Sequence, residues 1–170
     1  MNCYRFNKKE VEVKKIDTNS STQRILEDRL LCFNTGINRL ASTILTEQVE
    51  NLKNNVNVDL TKIMVDMAER SIKMIEANQL DNFGSLLNDA WQIKKQLSSN
   101  VTNSNIDEMY DRAMKAGALG GKILGAGGGG YLLLYVREND RYKVFNEMNK
   151  LYEYFPIKFD YNGSTIETKL

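Results

Sequence analysis

The sequence predicts an α+β fold, in which an antiparallel sheet built largely from the C-terminal half of the chain has helices packed against one face. Three observations support this prediction. Short apolar runs stand near both chain ends, helical patterns with a 3.6-residue period fill the middle, and a glycine loop joins two of the strands. The 170 residues are expected to form one domain, residues 1–170, with enough length to bury a core.

The N-terminal segment predicts a β-hairpin followed by a short helix and a strand. Residues Asn2–Ile16 read as CYRF, a polar turn and VEVKKI, with apolar and polar residues in alternation. Because an isolated hairpin is marginal in water, these strands are expected to pair with the main sheet or with something absent from this chain. A polar loop with helix-capping residues then leads to a helix, Gln23–Asp28, and a strand, Leu30–Phe33.

Four helical patterns follow. The first begins at Arg39, and the next two, Val58–Asn78 and Leu80–Leu97, repeat apolar residues with the period that gives a helix one buried face. Asn105 is expected to cap the fourth helix, which ends before Gly117. This last helix delivers the chain into the glycine loop.

The C-terminal third predicts the rest of the sheet. Strands are expected at Lys122–Leu124 and Tyr131–Val136, on either side of the glycine loop. A helix over Glu138–Tyr152 follows, with Tyr142 facing inward. The chain then reads PIKFDY, a turn at Asn162-Gly163 and STIETK, which predicts a final hairpin because Asn-Gly between alternating runs is a strong hairpin signal.

The glycine loop carries the clearest functional signal. Eight of the eleven glycines lie in Gly117–Val136, although each glycine in a regular element costs roughly 0.5–1 kcal/mol relative to alanine. A backbone without Cβ atoms can direct several N–H groups at a phosphate or another anion. A wide hairpin whose small residues let a helix approach closely is the alternative. The candidate anion-binding residues are Gly125, Ala126, Gly127, Gly128, Gly129 and Gly130.

Two other nucleotide-binding motifs do not fit the residues around the loop. Gly125, Gly127 and Gly130 satisfy the pattern G-x-G-x-x-G, but a dinucleotide fingerprint requires a helix after the loop, and here a strand follows. The stretch Gly117–Lys122 is one residue short of a P-loop. In addition, Ile123 stands where Ser or Thr should hold magnesium.

Three cationic side chains are further candidates for contact with an anion: Lys122, Arg39 and Lys94. Lys122 directly precedes the loop, but in a strand its side chain points to one sheet face, so a solvated lysine explains it equally well. Lys94 lies near the end of a predicted helix. A solvated cation favoured by the helix dipole accounts for it without any ligand.

Composition excludes several classes of protein. The formal net charge is +1 and there is no basic block, so the sequence gives no case for binding nucleic acid or a membrane surface. The chain contains no histidine, which removes Ser-His-Asp catalysis and the commonest zinc sites. Cys3 and Cys32 are too few for a disulfide framework or a metal cluster. No long apolar run or signal pattern is present, and a cytoplasmic protein is expected.

The residues around the loop resemble a known kinase family. The order IDEMYDRAMKAGA, then LGGKILGAGGGGYLLLYV, closely resembles the third motif of the GHMP kinases, the family of galactokinase, homoserine kinase, mevalonate kinase and phosphomevalonate kinase. Upstream, FNTGINRLASTIL and DNFGSLLNDAWQIKKQLSS look like the branch that phosphorylates heptose 7-phosphate. The resemblance extends over nearly all of the chain.

The resemblance implies a ferredoxin-like C-terminal domain and ATP-dependent phosphoryl transfer to a sugar or sugar phosphate, in a cleft that Gly125–Gly130 would line. Family members hold the ATP phosphates, magnesium and the catalytic Asp in an N-terminal domain whose Gly/Ser-rich loop contains proline, whereas Pro156 is this chain's one proline. We therefore expect no catalytic residue and no tightly bound cofactor here. ATP and Mg²⁺ belong to the complete enzyme, and residues 1–16 would bridge to the absent domain.

Two functions from different classes stay open. In the first, the chain is part of a sugar-phosphate kinase, inactive alone, whose partner is an N-terminal kinase domain from the same or a split gene. In the second, it is a stand-alone inactive domain that binds an anionic metabolite or a protein. Because loss of a partner domain uncovers apolar side chains, we also expect a homodimer or a strand exchange through Asn2–Ile16.

Overall fold

The computed structural model describes residues 1–161 and residue 163. The helices are α1 (Ser20–Asp28), α2 (Ala41–Lys53), α3 (Val58–Glu76), α4 (Leu80–Lys94), α5 (Ser104–Ala116) and α6 (Glu138–Asn149). The strands are β1 (Asn2–Phe6), β2 (Val11–Lys15), β3 (Leu30–Asn34), β4 (Ala118–Ile123), β5 (Tyr131–Val136) and β6 (Tyr154–Phe155). In the described residues these strands form a four-stranded sheet in the order β4-β5-β3-β6 and a separate two-stranded sheet of β1 and β2.

The predicted fold class is confirmed, because every pair in the main sheet is antiparallel and helices cover it. Alternate residues of β5 point to opposite faces of the sheet. Leu132, Leu134 and Val136 are fully buried on the face that α5 and α6 cover, together with Phe33 of β3. This face contains most of the hydrophobic core.

The opposite face also has a helix, which the sequence does not predict. Tyr135 alternates with Leu134 on β5, and its ring lies so close to Gly84 of α4 that a Cβ at Gly84 would overlap it. A Cβ at Gly120 of β4 would in turn overlap the backbone of α4 at Gly84 and Asn88. Two glycines therefore let α4 lie directly on the sheet, and α3 packs behind it. Along this course, the C-terminal end of α4 reaches the glycine loop.

The caps of α5 show one difference from the predicted boundaries. Asn103, with an extended backbone, accepts a hydrogen bond from Ile106 N at 3.1 Å, so the helix begins at Ser104 and Asn105 lies inside it. At the other end Gly117 has φ 119°, a conformation that favours glycine. The predicted stop at Gly117 is confirmed.

The C-terminal end of the described chain differs from the prediction more than the caps of α5 do. β6 pairs with β3 through Phe155 and Cys32, and PIKFDY after it forms no strand. Pro156 has no N–H to donate to a ladder, which explains why pairing stops there. Residues 162 and 164–170 of the predicted hairpin lie outside the described residues. Tyr142 was expected to face inward, but it is 78% exposed.

In α6 the inward positions are taken by Val144 and Met148, which are both fully buried one helical turn apart. The helix ends at Asn149, three residues earlier than predicted. The residues immediately after it are therefore available to pair as β6.

The N-terminal hairpin is confirmed, but within the described residues its strands pair only with each other. Arg5 forms an ion pair with Glu69 of α3 at 2.7 Å, so one face of the hairpin rests on that helix. Tyr4, Phe6, Val11 and Val13 share the other face by register, and all four are exposed. Pairing with the main sheet, one of the two expectations, is therefore wrong.

None of the described helices combines the length and the apolar character that crossing a membrane requires.

Candidate functional site: the glycine loop

The loop between β4 and β5 has a backbone that few residues other than glycine adopt. Gly125, Gly127, Gly128 and Gly130 have φ values of 72°, 114°, 74° and 85°. In this region a side chain is strained by its own Cβ. Four of the five loop glycines are thus explained by local conformation alone.

The loop is also held closely by two neighbouring segments. Gly128 N donates to Val101 O at 2.7 Å, and Gly130 N donates to Ile37 O at 2.9 Å. Thr35 returns two hydrogen bonds to Gly130 O, from its N and its Oγ1, each at 2.8 Å. A Cβ on Gly127, Gly128 or Gly129 would overlap Val101, Asn100 or Ile37. Part of the glycine content therefore serves close packing, as the hairpin alternative predicts.

The remaining loop amides have no acceptor. Within residues 1–161, the N–H groups of Gly125, Ala126, Gly127 and Gly129 make no hydrogen bond. Gly125 is exposed and Ala126 and Gly127 are half-buried, whereas Gly129 is buried. Solvent can therefore bring an anion to three consecutive donors in a backbone that is already fixed. Consecutive N–H groups without an acceptor are the donors from which an anion nest is built.

Glu47 of α2 fixes the segment on which the loop rests. Its carboxylate accepts hydrogen bonds from Ser98 Oγ at 2.7 Å, Ser99 N at 2.9 Å and Asn100 Nδ2 at 2.9 Å. These bonds, with that from Ser98 the largest cause, lower the pKa of the Glu47 carboxyl to about 2. Local patterns do not reveal Glu47, because it lies 51 positions before Ser98 and no short motif joins the two. The polar run at residues 98–100 was the one available signal.

Two lysines approach the loop from the α4 side. Lys94 Nζ donates a hydrogen bond to Gly125 O. Burial, and then the charge of Lys122, lower the pKa of Lys94 to about 8, and burial also lowers the pKa of Lys122. In the described part of the chain neither amino group has an ion pair, whereas the neighbouring Lys95 is 3.4 Å from Asp107 Oδ1.

Arg39 approaches the loop near Gly128. Its Nη1 donates to Asn100 Oδ1 at 3.2 Å, and its Cδ lies 3.4 Å from the position of a Cβ on Gly128. Of the three predicted cations, Lys94 therefore contacts Gly125 and Arg39 lies near Gly128, whereas Lys122, on β4, makes no hydrogen bond to the loop within the described residues. Lys94 and Arg39 each contribute positive charge at a backbone that already presents unpaired donors.

A groove of about 950 Å³ lies elsewhere, between α5 and α6. Arg112 and Glu147 line it and form an ion pair at 2.8 Å across it. Arg112 also pairs with Glu108, and Glu147 also pairs with Lys150. The residues that line the groove do not include those that hold the glycine loop. The unpaired amides and lysines make the loop the better candidate site.

Comparison with known proteins relates the part of the chain around the glycine loop to one family. Residues 71–153 match the family model described as GHMP kinases C terminal. This part of the chain resembles the C-terminal domain of the GHMP kinases. The matched residues include α4, α5, β4, the glycine loop, β5 and α6.

Three known proteins are similar to this chain over most of its length. The chain is 29% identical over 148 residues to the D-glycero-alpha-D-manno-heptose 7-phosphate kinase of Campylobacter jejuni, covering 85% of this chain and 43% of that protein. It is 26% identical over 141 residues to the bifunctional fucokinase/GDP-fucose pyrophosphorylase of Arabidopsis thaliana, covering 82% and 13%. The crystal structure of L. major mevalonate kinase with R-mevalonate superposes with a TM-score of 0.67 at 19% identity, covering 88% and 44%.

The two curated relatives are sugar kinases by name, and the mevalonate kinase shares the fold. The chain spans less than half the length of each of the three.

Proposed function

We propose that this chain is the C-terminal part of an ATP-dependent sugar-phosphate kinase and that its glycine loop lines the active-site cleft. The observation that carries the proposal is the set of three accessible, unpaired amides at Gly125, Ala126 and Gly127, with Lys94 and Lys122 beside them. Kinship with a heptose 7-phosphate kinase and a fucokinase supports the same class of reaction.

The role proposed for the loop is to bind and position a phosphate group. Phosphoryl transfer depends almost entirely on positioning and on stabilising charge. N–H donors that are fixed before the ligand arrives do not have to reorganise during the reaction. The loop meets this condition because the N–H groups of Gly128 and Gly130 bind Val101 and Ile37, whereas those of Gly125, Ala126 and Gly127 have no acceptor within residues 1–161.

ATP, Mg²⁺ and the groups that activate the acceptor hydroxyl are assigned to an ATP-binding domain. The loop amides fit a phosphate of the nucleotide or of the acceptor. Among the described residues there is no group of three or more acidic or cysteine side chains that could hold a metal ion. The proposal therefore assigns no catalytic step to magnesium bound by this chain. It also includes a cytoplasmic location, because ATP is available there.

The N-terminal hairpin is the proposed contact with that domain. Residues 1–170 would form one domain, and Tyr4, Phe6, Val11 and Val13 give its hairpin an exposed apolar face that another surface can cover. A second copy of the chain could cover the same face, which would give the expected homodimer. A complex with the ATP-binding domain and a homodimer have different compositions, so identifying the complex that forms distinguishes the two partners.

The test is phosphoryl transfer from ATP to heptose 7-phosphate by the chain alone and by the chain mixed with the ATP-binding domain of the Campylobacter jejuni relative. We expect no turnover by the chain alone and turnover by the mixture. Gly128→Asp should abolish the activity of the mixture, because Gly128 has positive φ and its Cβ position is occupied. Turnover by the chain alone would contradict the proposed division of labour.

A mixture that binds phosphate but transfers none to any sugar would favour the second function, a stand-alone domain that binds an anionic metabolite.

A further inference from the structure

Helix α2 carries a row of apolar residues on a side that faces solvent. Leu45, Val49 and Leu52 follow one another at intervals of four and three residues, so they lie on one face of the helix. Each of the three is between 39% and 48% exposed. In α5, by contrast, the apolar residues with helical spacing, Ile106 and Met109 among them, are buried. The row of Leu45, Val49 and Leu52 is called the α2 stripe below.

The side of α2 that faces the rest of the domain is held mainly by polar groups. Ile44 is the one buried residue of this helix, which the structure describes in full. Glu47 accepts hydrogen bonds from residues 98–100, and Asn51 Nδ2 donates to Leu97 O at 3.1 Å. Turning the helix to bury the stripe would break these hydrogen bonds. The exposure of the α2 stripe therefore follows from the way the fold holds α2, and a continuous apolar row on a surface is typical of an interaction site.

The α2 stripe begins beside the glycine loop. Ile44 Cδ1 lies 2.7 Å from the position that a Cβ on Gly128 would take, and Leu45 follows Ile44 directly in the chain. Glu47, within the same turn of the helix, fixes residues 98–100, on which the loop rests. A domain that brings a phosphate group to the loop therefore arrives next to the stripe.

The size of the α2 stripe decides between two kinds of occupant. A helix of 13 residues is about 20 Å long and about 10 Å wide, so one face offers on the order of 200 Å². Two copies of the chain that met through this face would bury about 400 Å² in total, whereas stable interfaces bury at least about 1,200 Å². A partner that covers the stripe must therefore also contact the surface beside it. The glycine loop provides that surface.

We infer that the α2 stripe is a docking face for the ATP-binding domain, which lies against it when the nucleotide is brought to the glycine loop. The inference rests on the proposed function, because that function requires such a domain. It adds a second contact to the one proposed for the N-terminal hairpin, and it requires apolar side chains next to the nucleotide site of the partner. Because Ile44 and Glu47 tie α2 to the loop, docking on the stripe sets the position of that domain relative to the loop.

The first test follows the methyl signals of Leu45, Val49 and Leu52 in the ¹³C-methyl-labelled chain while the ATP-binding domain of the Campylobacter jejuni relative is added. We expect these signals to shift, whereas the signals of Val65, an exposed residue of α3, stay unchanged. Shifts that appear when the chain alone is concentrated would identify a second copy as the occupant and would overturn the inference.

The second test is the dissociation constant of that complex, measured by isothermal titration calorimetry. Leu45→Gln combined with Val49→Gln should raise it by about a hundredfold, because an apolar side chain at the centre of an interface is commonly worth about tenfold in affinity. Val65→Gln is the matched control and should bind as the wild type does. An unchanged dissociation constant for the double variant would overturn the inference.

Two further readouts separate loss of docking from damage to the fold. The substituted positions are exposed, so the urea midpoint of the double variant should stay close to that of wild type. The backbone amide signals of Gly128 and Gly130 should also stay as in wild type, because the hydrogen bonds that hold them are untouched. Loss of affinity together with displaced loop signals would show that the stripe acts only through the loop, and the docking face would be overturned.

Failure of this inference is distinct from failure of the proposed function. If the mixture transfers phosphate to a sugar and the double variant binds the ATP-binding domain as tightly as wild type does, the kinase proposal stands and the docking face is overturned. If the complex forms through the α2 stripe but transfers phosphate to no sugar, the docking face stands and the kinase proposal is wrong.

Discussion

At the scale of single residues, Glu47 links a helix to the segment on which the glycine loop rests. Three hydrogen bonds from residues 98–100 hold its carboxylate, and Asn100 and Val101 in turn contact Gly128. An Asn or Ser side chain alone would not fix that segment to α2. Glu47 is therefore a positioning residue for the loop.

Glu47→Gln should destabilise the fold in a pH-dependent way. The folded-state pKa of about 2 is below the ordinary value of 4.5, so the stability that Glu47 supplies is present above about pH 4.5 and is lost as the pH falls towards 2. Glutamine cannot titrate, so the difference in denaturation midpoint between wild type and Glu47→Gln should shrink over this window. Glu50→Gln, at an exposed position of the same helix, serves as control. A difference that is constant with pH would contradict the account.

Lys94 should make the stability rise with pH as well, in this case in alkaline solution. Its folded-state pKa of about 8 is below the ordinary value of 10.5, so the unfolded chain binds more protons between these values and stability rises with pH across them. Lys94→Met should remove this rise, measured as urea midpoints at intervals over that range. Lys53→Met, at an exposed position, should keep it. An unchanged slope in Lys94→Met would show that its amino group titrates as in water.

At the scale of elements, the position of α4 depends on two glycines that face each other. Gly84 allows the ring of Tyr135 to lie against the helix, and Gly120 allows the helix backbone to lie against β4. Without this approach, the last turn of α4 would stand further from the loop. The position of Lys94 at the loop thus depends on packing at Gly84, which lies nearly three helical turns before it on α4.

Gly84→Ala should destabilise the protein by about 1–3 kcal/mol, because the added methyl group overlaps the Tyr135 ring. In a helix without this contact the same change would stabilise by about 1 kcal/mol. The sign of the change in unfolding free energy therefore shows whether the Tyr135 ring lies against Gly84. Ser85→Ala, at the next and exposed position, should have little effect. A urea midpoint of Gly84→Ala equal to or above that of wild type would mean that α4 lies further from the sheet.

Local sequence patterns predicted many of the helices, strands and turns. The amphipathic helices, the N-terminal hairpin, strand β5 and the stop at Gly117 follow from periodicity and turn chemistry, which act over a few residues. Pairing of β6 next to Pro156 and the second helical face of the sheet depend on contacts between distant segments. Glu47 and the Lys94–Lys122 pair were beyond local patterns for the same reason, since no short stretch contains both partners.

At the scale of the whole molecule, the exposed apolar face of the β1–β2 hairpin is the surface that we expect a partner to cover. Phe6 is 76% exposed, and Tyr4, Val11 and Val13 beside it are more than half exposed. The opposite face of the hairpin rests on α3 through Arg5 and Glu69. Because the polar face is inward and the apolar face outward, association through the apolar face is expected.

Phe6→Glu combined with Val11→Glu should abolish association of the chain with the ATP-binding domain, or with itself, measured by sedimentation velocity over a range of concentrations. The two residues face each other across β1 and β2, so the change places two charges at one spot. Lys9→Glu, in the turn of the hairpin, is the control for charge alone. Association that survives the double change would place the interface elsewhere.

The account as a whole depends on the loop being a phosphate site, and a titration of the unmodified chain with inorganic phosphate tests this most directly. Backbone amide shifts should change at Gly125, Ala126 and Gly127, and less at Gly128 and Gly130, whose N–H groups are already donated to Val101 O and Ile37 O. A few charge-assisted hydrogen bonds without a closing domain give millimolar affinity. Signals that stay unchanged into the tens of millimolar would instead identify the loop as a structural hairpin.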